Sequence, residues 1–203
     1  MMDDTPAVYP MSREGDMPEQ EANKTSDIPM GLFERETNYN DAEVIVIPVP
    51  WEVTVSYHTG TANAPEAILK ASEQIDLYDL DVPYSELPGI HMLPINFRWR
   101  NTSRELRSKA LEYITLLDSN SDLAESRYLE AVNLGCHQLK EAVKSKARKI
   151  LDNGKIPAVL GGDHSVSLGL IEALCKQHED FGILVIDAHA DLRKAYQGFT
   201  YSH

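Results

Sequence analysis

Short runs of apolar, mostly β-branched residues alternate along this chain with longer stretches in which apolar positions recur every three or four residues. Residues 43–48 form one such run, which ends in proline, and residues 156–160 and 181–186 form two more. Short apolar runs bounded by turn-forming residues predict buried strands. A further short strand is predicted within residues 90–95.

Helical spacing of apolar residues accounts for most of the remaining chain. The helices are predicted over residues 64–78, 105–119, 126–153 and 165–177. Pro65 suits the first turn of a helix, and Gly154 suits the residue after a helix end. The order strand, helix, strand across residues 156–186, with short connections, predicts a βαβ unit and therefore an α/β fold with a parallel sheet.

The first thirty residues differ in composition from the rest. Residues 1–30 are rich in Pro, Glu, Asp and Ser, which predicts a disordered arm and leaves residues 31–203 as one domain. The arm lacks the apolar segment of a signal peptide, and no apolar run approaches membrane-spanning length. We therefore expect a cytoplasmic protein with no membrane partner.

The charge balance argues against one class of partner. The formal net charge is -13, whereas proteins that bind nucleic acid need clustered Lys and Arg to replace phosphate counterions. A single basic cluster comprises Arg98, Arg100, Arg104, Arg107 and Lys109. Such charge runs usually form a solvated helix face, and that is the prediction for this one.

Two motifs follow predicted strands and carry the candidate chemistry. Gly161-Gly162-Asp163-His164-Ser165 follows the run at 156–160, and Asp187-Ala188-His189-Ala190-Asp191 follows the run at 181–186. Ligand sites of open parallel sheets form outside the carboxyl ends of the strands, so the two motifs should meet at one rim. An extended backbone would point Asp187, His189 and Asp191 to the same side.

The residue types in these motifs indicate a metal site. Two imidazoles and two carboxylates, with no cysteine, favour Mn²⁺, Fe²⁺, Ni²⁺ or Zn²⁺ over a structural zinc site. The predicted ligands are His164, Asp187, His189 and Asp191. A lone His-x-Asp is a weak signal, whereas two such motifs after successive strands seldom occur by chance.

The same motifs resemble a known family. "GGDHS" and "DAHADL" are similar to the first two signature motifs of the ureohydrolases, which include arginase, agmatinase and formimidoylglutamase. The segments "PVPWEVTVSYHTG" and "APEAILKASEQIDLYD" resemble the first strand, substrate-side loop and first helix of agmatinases. The resemblance covers residues 43–203 and implies a three-layer α-β-α fold with a mainly parallel sheet, arginase-like, truncated after the second metal-motif strand.

The resemblance implies a site with two manganese ions. His164 and Asp191 would bind one ion, His189 would bind the other, and Asp187 would bridge both. Asp163 would support a ligand or cap a helix. A hydroxide that bridges the two ions would attack the guanidinium carbon, because two cations lower the pKa of a shared water.

A further histidine would move protons. His203 lies where the family places the histidine that relays protons at the mouth of the site. The products would be urea and an amine, most simply putrescine from agmatine. Arginases typically place asparagine two residues after the last motif aspartate, where this chain has Arg193, so agmatine is the first choice of substrate. Tyr57 and His58 are candidates for a substrate-side loop.

One family motif is absent, and this leaves alternatives open. No "SFDxDxxDP"-like segment, which would supply two later aspartate ligands, occurs in the 203 residues. We therefore expect an N-terminal part of a ureohydrolase, inactive by itself, from a protein that forms homo-oligomers when full length. Arginase, formimidoylglutamase and a non-catalytic family member are the alternatives.

Overall fold

The computed structural model describes residues 31–56, 58–78, 80–119 and 127–202. The predicted N-terminal arm, residues 1–30, lies outside the described residues, and so do Tyr57 and His203. No helix in the described part of the chain is both long and apolar enough to cross a membrane.

In the part of the chain that the structure describes, three parallel strands form the sheet, in the order β2-β1-β3. Strand β1 spans Val44–Val49, β2 spans Ile90–Met92 and β3 spans Ile156–Gly161. Strand β1 lies in the centre and pairs with β3 along its whole length, from Val44 opposite Ile156 to Val49 opposite Gly161. The three strands predicted near residues 43–48, 90–95 and 156–160 are confirmed.

Four α-helices among the described residues surround the sheet. They are α1 at Ala64–Ala71, α2 at Phe97–Asp118, α3 at Arg127–Asp152 and α4 at Leu168–Leu174. Helix α2 begins eight residues before its predicted start, since the side chain of Asn96 accepts hydrogen bonds from the backbone N–H groups of Arg98 and Trp99. Helix α4 is shorter than predicted, because residues 164–167 form a 3₁₀ turn before it.

The alternation of β1 divides the core into two layers. Ile45, Ile47 and Val49 face a large cluster formed with the apolar sides of α2, α3 and α4. Val46 faces the other side, where it packs with Leu69 of α1. Because successive strand residues point to opposite faces, a central strand that is apolar throughout requires cover on both. The result is the α-β-α layering that the family resemblance implied.

The predicted strand at residues 181–186 is wrong. These residues lie in irregular backbone and have no β-ladder partner among the described residues. Their side chains are exposed, and Ile186 is 93% accessible to solvent. A strand exists only through hydrogen bonds to a neighbour and burial of at least one face, and this segment has neither. The predicted βαβ unit therefore lacks its second strand.

Candidate metal centre

The turn after β3 presents the first motif. Gly162 has a φ of +57°, and a Cβ at this position would lie 2.5 Å from the carbonyl oxygen of Trp51. Only glycine meets both conditions without strain. The backbone N–H of Asp163 donates to the same Trp51 oxygen at 2.8 Å. The turn is therefore fixed against the segment that follows β1, and His164 directly follows it.

Asp163 acts as a cap. Its Oδ1 accepts hydrogen bonds from the backbone N–H of Ser165 at 3.1 Å and from the Ser165 hydroxyl at 2.5 Å. It thereby begins the 3₁₀ turn His164–Ser167. Of the two roles that the resemblance implied for this residue, the structure shows the helix cap.

Three of the four predicted ligands come together. One ligand atom from each of His164, Asp187 and Asp191 lies within 4.8 Å of the other two. The Nδ1 atom of His164 lies 2.5 Å from Oδ2 of Asp191 and 3.5 Å from Oδ2 of Asp187. This is the convergence at the carboxyl end of β3 that the motifs predicted, although the second motif reaches it from irregular backbone and not from a strand end.

His189 does not join this group. Its ring is 79% exposed, and its Nδ1 lies 3.5 Å from the other oxygen of Asp187, Oδ1. The extended backbone predicted for residues 187–191 is wrong, because residues 187–189 form a bend and Asp191 has a φ of +49°. Oδ1 of Asp187 accepts a hydrogen bond from the backbone N–H of His189 at 2.9 Å, and this local turn replaces the extended conformation.

The electrostatics of the group suit a cation. The backbone hydrogen bond from His189 lowers the pKa of Asp187, and the nearby His164 and His189 rings lower it further. Asp187 is therefore a carboxylate near neutral pH. One imidazole nitrogen and two carboxylate oxygens within 4.8 Å of one another are a ligand set for a single divalent ion of the Mn²⁺ to Zn²⁺ series, and Nδ1 of His164 and Oδ2 of Asp191 are directly hydrogen-bonded.

One residue next to the site escaped the sequence-based predictions. Arg107 is half-buried, and its Nη1 donates to the carbonyl oxygen of Val53 at 3.1 Å. Burial lowers its pKa, while the charges of Glu52 and Asp163 oppose that shift. Arg107 therefore departs from the predicted solvated face, whereas Arg98 and Arg104 in the same cluster are exposed as predicted. In the sequence, only its position directly after the core residue Leu106 indicated that Arg107 would be partly buried.

The last described residues fold back onto α3. The side chain of Asn133 donates to the carbonyl oxygen of Gly198 and accepts from the backbone N–H of Thr200. Phe199 is buried and packs edge-on against Tyr113. These contacts place residues 198–202 beside α3. The predicted role of His203 stays a prediction.

Comparison with known proteins assigns the class. Residues 42–203 match the model of the arginase family, and the chain belongs to that family. The chain is 30% identical over 184 residues to the N(1)-aminopropylagmatine ureohydrolase of Synechocystis and 33% identical over 171 residues to that of a Thermus thermophilus strain. These matches cover 89% and 84% of this chain.

Agmatinases are similar as well. The agmatinase of Bacillus anthracis is 26% identical over 171 residues, 82% of this chain. The crystal structure of the agmatine ureohydrolase of Thermoplasma volcanium superposes with a TM-score of 0.54 at 26% identity, and the match covers 82% of this chain and 45% of that one. The chain spans about half the length of the curated relatives it matches, between 46% and 51% for these three enzymes.

Proposed function

We propose that this chain contributes His164, Asp187, His189 and Asp191 to the metal site of a ureohydrolase that cleaves a guanidino C–N bond and releases urea and an amine. The observation that carries the proposal is the convergence of His164, Asp187 and Asp191 within 4.8 Å, in a chain of the arginase family. The grouping combines residues 27 positions apart, so local structure alone does not explain it.

The residues have distinct roles in this proposal. Asp187 offers one oxygen toward His164 and the other toward His189, which is the arrangement that a carboxylate shared by two cations needs. His164 and Asp191, whose side chains already lie together in the structure, would bind one of the two ions. Bound Mn²⁺ would supply the Lewis acidity that activates water at neutral pH. His203 is proposed to protonate the departing amine.

The proposed substrate is a linear guanidino alkylamine. The sequence favours agmatine, because Arg193 occupies the position where arginases carry asparagine. N(1)-aminopropylagmatine is a second candidate, because the relatives named for it reach 30–33% identity whereas the named agmatinases reach 25–29%. The two compounds share the guanidino end and differ by an aminopropyl group at the other end.

Metal binding tests the site directly. Titration calorimetry of the 203-residue chain with Mn²⁺ should show binding. Asp187→Asn should weaken it by more than about tenfold, as loss of a ligand exceeds the effect of groups that merely orient ligands. Asp180→Asn is the matched control, since Asp180 is an exposed carboxylate of the same segment outside the cluster. Equal binding by both variants would refute the ligand assignment. Competition with Zn²⁺, Ni²⁺ and Fe²⁺ would test the preference for manganese.

Urea release tests the activity. The protein should be isolated from its own source, so that its length is the one the cell makes, and supplied with Mn²⁺ and one substrate at a time. Agmatine, N(1)-aminopropylagmatine and arginine separate the candidate activities, and formimidoylglutamate covers the remaining relative. Turnover of one of the first two supports the proposal. Absence of turnover with all four, in a protein that binds Mn²⁺, would favour the non-catalytic family member.

A further inference from the structure

The loop of residues 52–62, beside the candidate metal centre, is closed by one carboxylate. The Oε2 atom of Glu52 accepts hydrogen bonds from the backbone N–H of Gly60 at 2.6 Å and from that of Ala62 at 3.1 Å. It also accepts from the hydroxyl of Thr61 at 3.2 Å. Three donors on a single oxygen bring the end of the loop back to its start, directly before α1.

Both ends of this loop are bonded to the turn that carries His164. At the first end, the Trp51 carbonyl oxygen accepts from the backbone N–H of Asp163 at 2.8 Å. At the other end, the Thr61 carbonyl oxygen accepts from the backbone N–H of Gly162 at 3.3 Å. Because Val49 pairs with Gly161, the loop after β1 and the turn after β3 leave the sheet side by side.

The start of the loop is anchored to α2. The backbone N–H of Glu52 donates to the hydroxyl of the buried Ser103 at 2.9 Å, and Arg107 donates to the carbonyl oxygen of Val53. Trp51 and Val53 are both buried in the main core. By contrast, residues 58–61 are exposed and make the outer part of the loop. Glu52 therefore connects the buried, anchored start of the loop to its exposed outer part.

From this arrangement we infer that Glu52 is a positioning residue that holds the loop of residues 52–62 against the Gly162–His164 turn. The inference rests on the proposed function, because it assigns the loop as one wall of the ureohydrolase site. The Glu52 carboxylate bonds to atoms of the loop. Its effect passes through the Thr61 and Trp51 carbonyl oxygens to the backbone of the turn, and so to the direction of the His164 ring.

Alanine substitution gives the main test, with amide hydrogen exchange as the first readout. Glu52→Ala should accelerate exchange at Gly60 and Ala62 by about tenfold or more, since both amides lose their acceptor. Exchange at Ile45 and Ile47 of β1 should stay unchanged, which shows that the variant remains folded. Glu52→Gln keeps an oxygen acceptor without the charge and should give an intermediate rate.

The second readout is the Mn²⁺ affinity, which distinguishes an effect of Glu52 on the metal site from closure of the loop alone. Glu52→Ala should lower the Mn²⁺ affinity by about tenfold, the low end of the effect of groups that orient metal ligands. Glu52→Gln should restore part of that loss. Glu66→Ala is the control, because it removes an exposed glutamate that pairs with Arg100 of α2 and bonds to none of the described atoms of the loop, so it should change neither readout.

The outcomes are distinguishable. Faster exchange with unchanged Mn²⁺ affinity would show that Glu52 closes the loop without acting on the site, and would overturn the inference. If the alanine variant fails to fold, the glutamine variant decides by the same two readouts. Neither readout requires turnover, so the two failures are distinguishable. If the variants respond as expected but the protein isolated from its own source binds Mn²⁺ and releases no urea from any of the four substrates, the proposed function is refuted and the positioning role stands.

Discussion

Strand β1 and the segment at residues 181–186 are both short apolar runs, but only the first forms a strand. Val-Ile-Val-Ile-Pro-Val forms the central strand, and Phe-Gly-Ile-Leu-Val-Ile forms exposed irregular backbone. Strand β1 has a parallel neighbour on each side and helices over both faces. The segment at 181–186 has none of these among the described residues. A β-branched run favours a strand, but a strand forms only where a partner strand is present.

Substitution of matched isoleucines should give the largest contrast between the two regions. Ile47 of β1 is 1% exposed and Ile186 is 93% exposed. Ile47→Ala should lower the free energy of unfolding by about 2–5 kcal/mol, through lost burial and a residual cavity. Ile186→Ala should change it by less than about 0.5 kcal/mol. Urea denaturation with fluorescence detection measures both, and equal losses would show that residues 181–186 are packed in solution.

A pair of glycines extends the comparison to the packed turn after β3 and the exposed segment at residues 181–186. Gly162→Ala should cost about 2–3 kcal/mol, because a side chain would be strained at its positive φ and would meet the carbonyl oxygens of Trp51 and Val49. Gly182→Ala meets no atom within 4 Å, so its effect should stay within about 0.5 kcal/mol. Thermal unfolding of the two variants is the measurement. A tolerated alanine at 162 would contradict the tight contact between the turn and residue 51.

Exposed apolar side chains should make the second region associate. Leu184 and Ile186 lie in a continuous apolar run, and such runs bind apolar dyes and other chains. The double substitution Leu184→Ser and Ile186→Ser should reduce anilinonaphthalene sulfonate fluorescence by about half. It should also reduce self-association in sedimentation velocity. Leu80→Ser is the control, because Leu80 is equally exposed but outside the run. A similar reduction in this variant would show that dye binding and self-association do not depend specifically on residues 181–186.

The smallest expected effect concerns the junction between α3 and α4, which precedes the exposed segment at residues 181–186. Glu172 of α4 accepts from Lys140 at 2.8 Å and from Lys144 at 2.6 Å, both on α3. Hydrogen bonds from Lys140 and then Lys144 lower the pKa of Glu172. A glutamate whose pKa is lowered on folding adds stability above its unfolded pKa of about 4.3, and that stability disappears as the pH falls through the folded value.

Glu172→Gln should therefore cost at most about 1 kcal/mol at pH 7, since these groups are partly exposed. The difference between the variant and the parent chain should shrink below about pH 4. Denaturant unfolding at about pH 7 and about pH 3 measures both values. A difference that persists at the lower pH would mean that Glu172 stabilises the junction by packing rather than by charge.

Much of the fold could be predicted because its signals are local. The apolar spacing of residues 126–153 predicted α3 within one residue at either end, and the β-branched run at 43–48 predicted β1 within one residue. The start of α2 was missed because the capping Asn96 precedes the apolar stripe by several residues. In the site, the motifs identified His164, Asp187 and Asp191 because residue type and spacing record ligand chemistry directly.

What the sequence alone determined is the set of candidate helices and strands, their apolar faces and the side chains able to bind a cation, since each depends on residues close together in the chain. Tertiary structure decided which apolar runs became strands, because a strand needs a neighbour distant in sequence. It also bent residues 187–189, where the backbone N–H of His189 donates to the Asp187 carboxylate, closed the loop of residues 52–62 through Glu52, and set Arg107 against the carbonyl oxygen of Val53. These arrangements depend on backbone atoms that carry no residue identity, and residue types alone therefore do not record them.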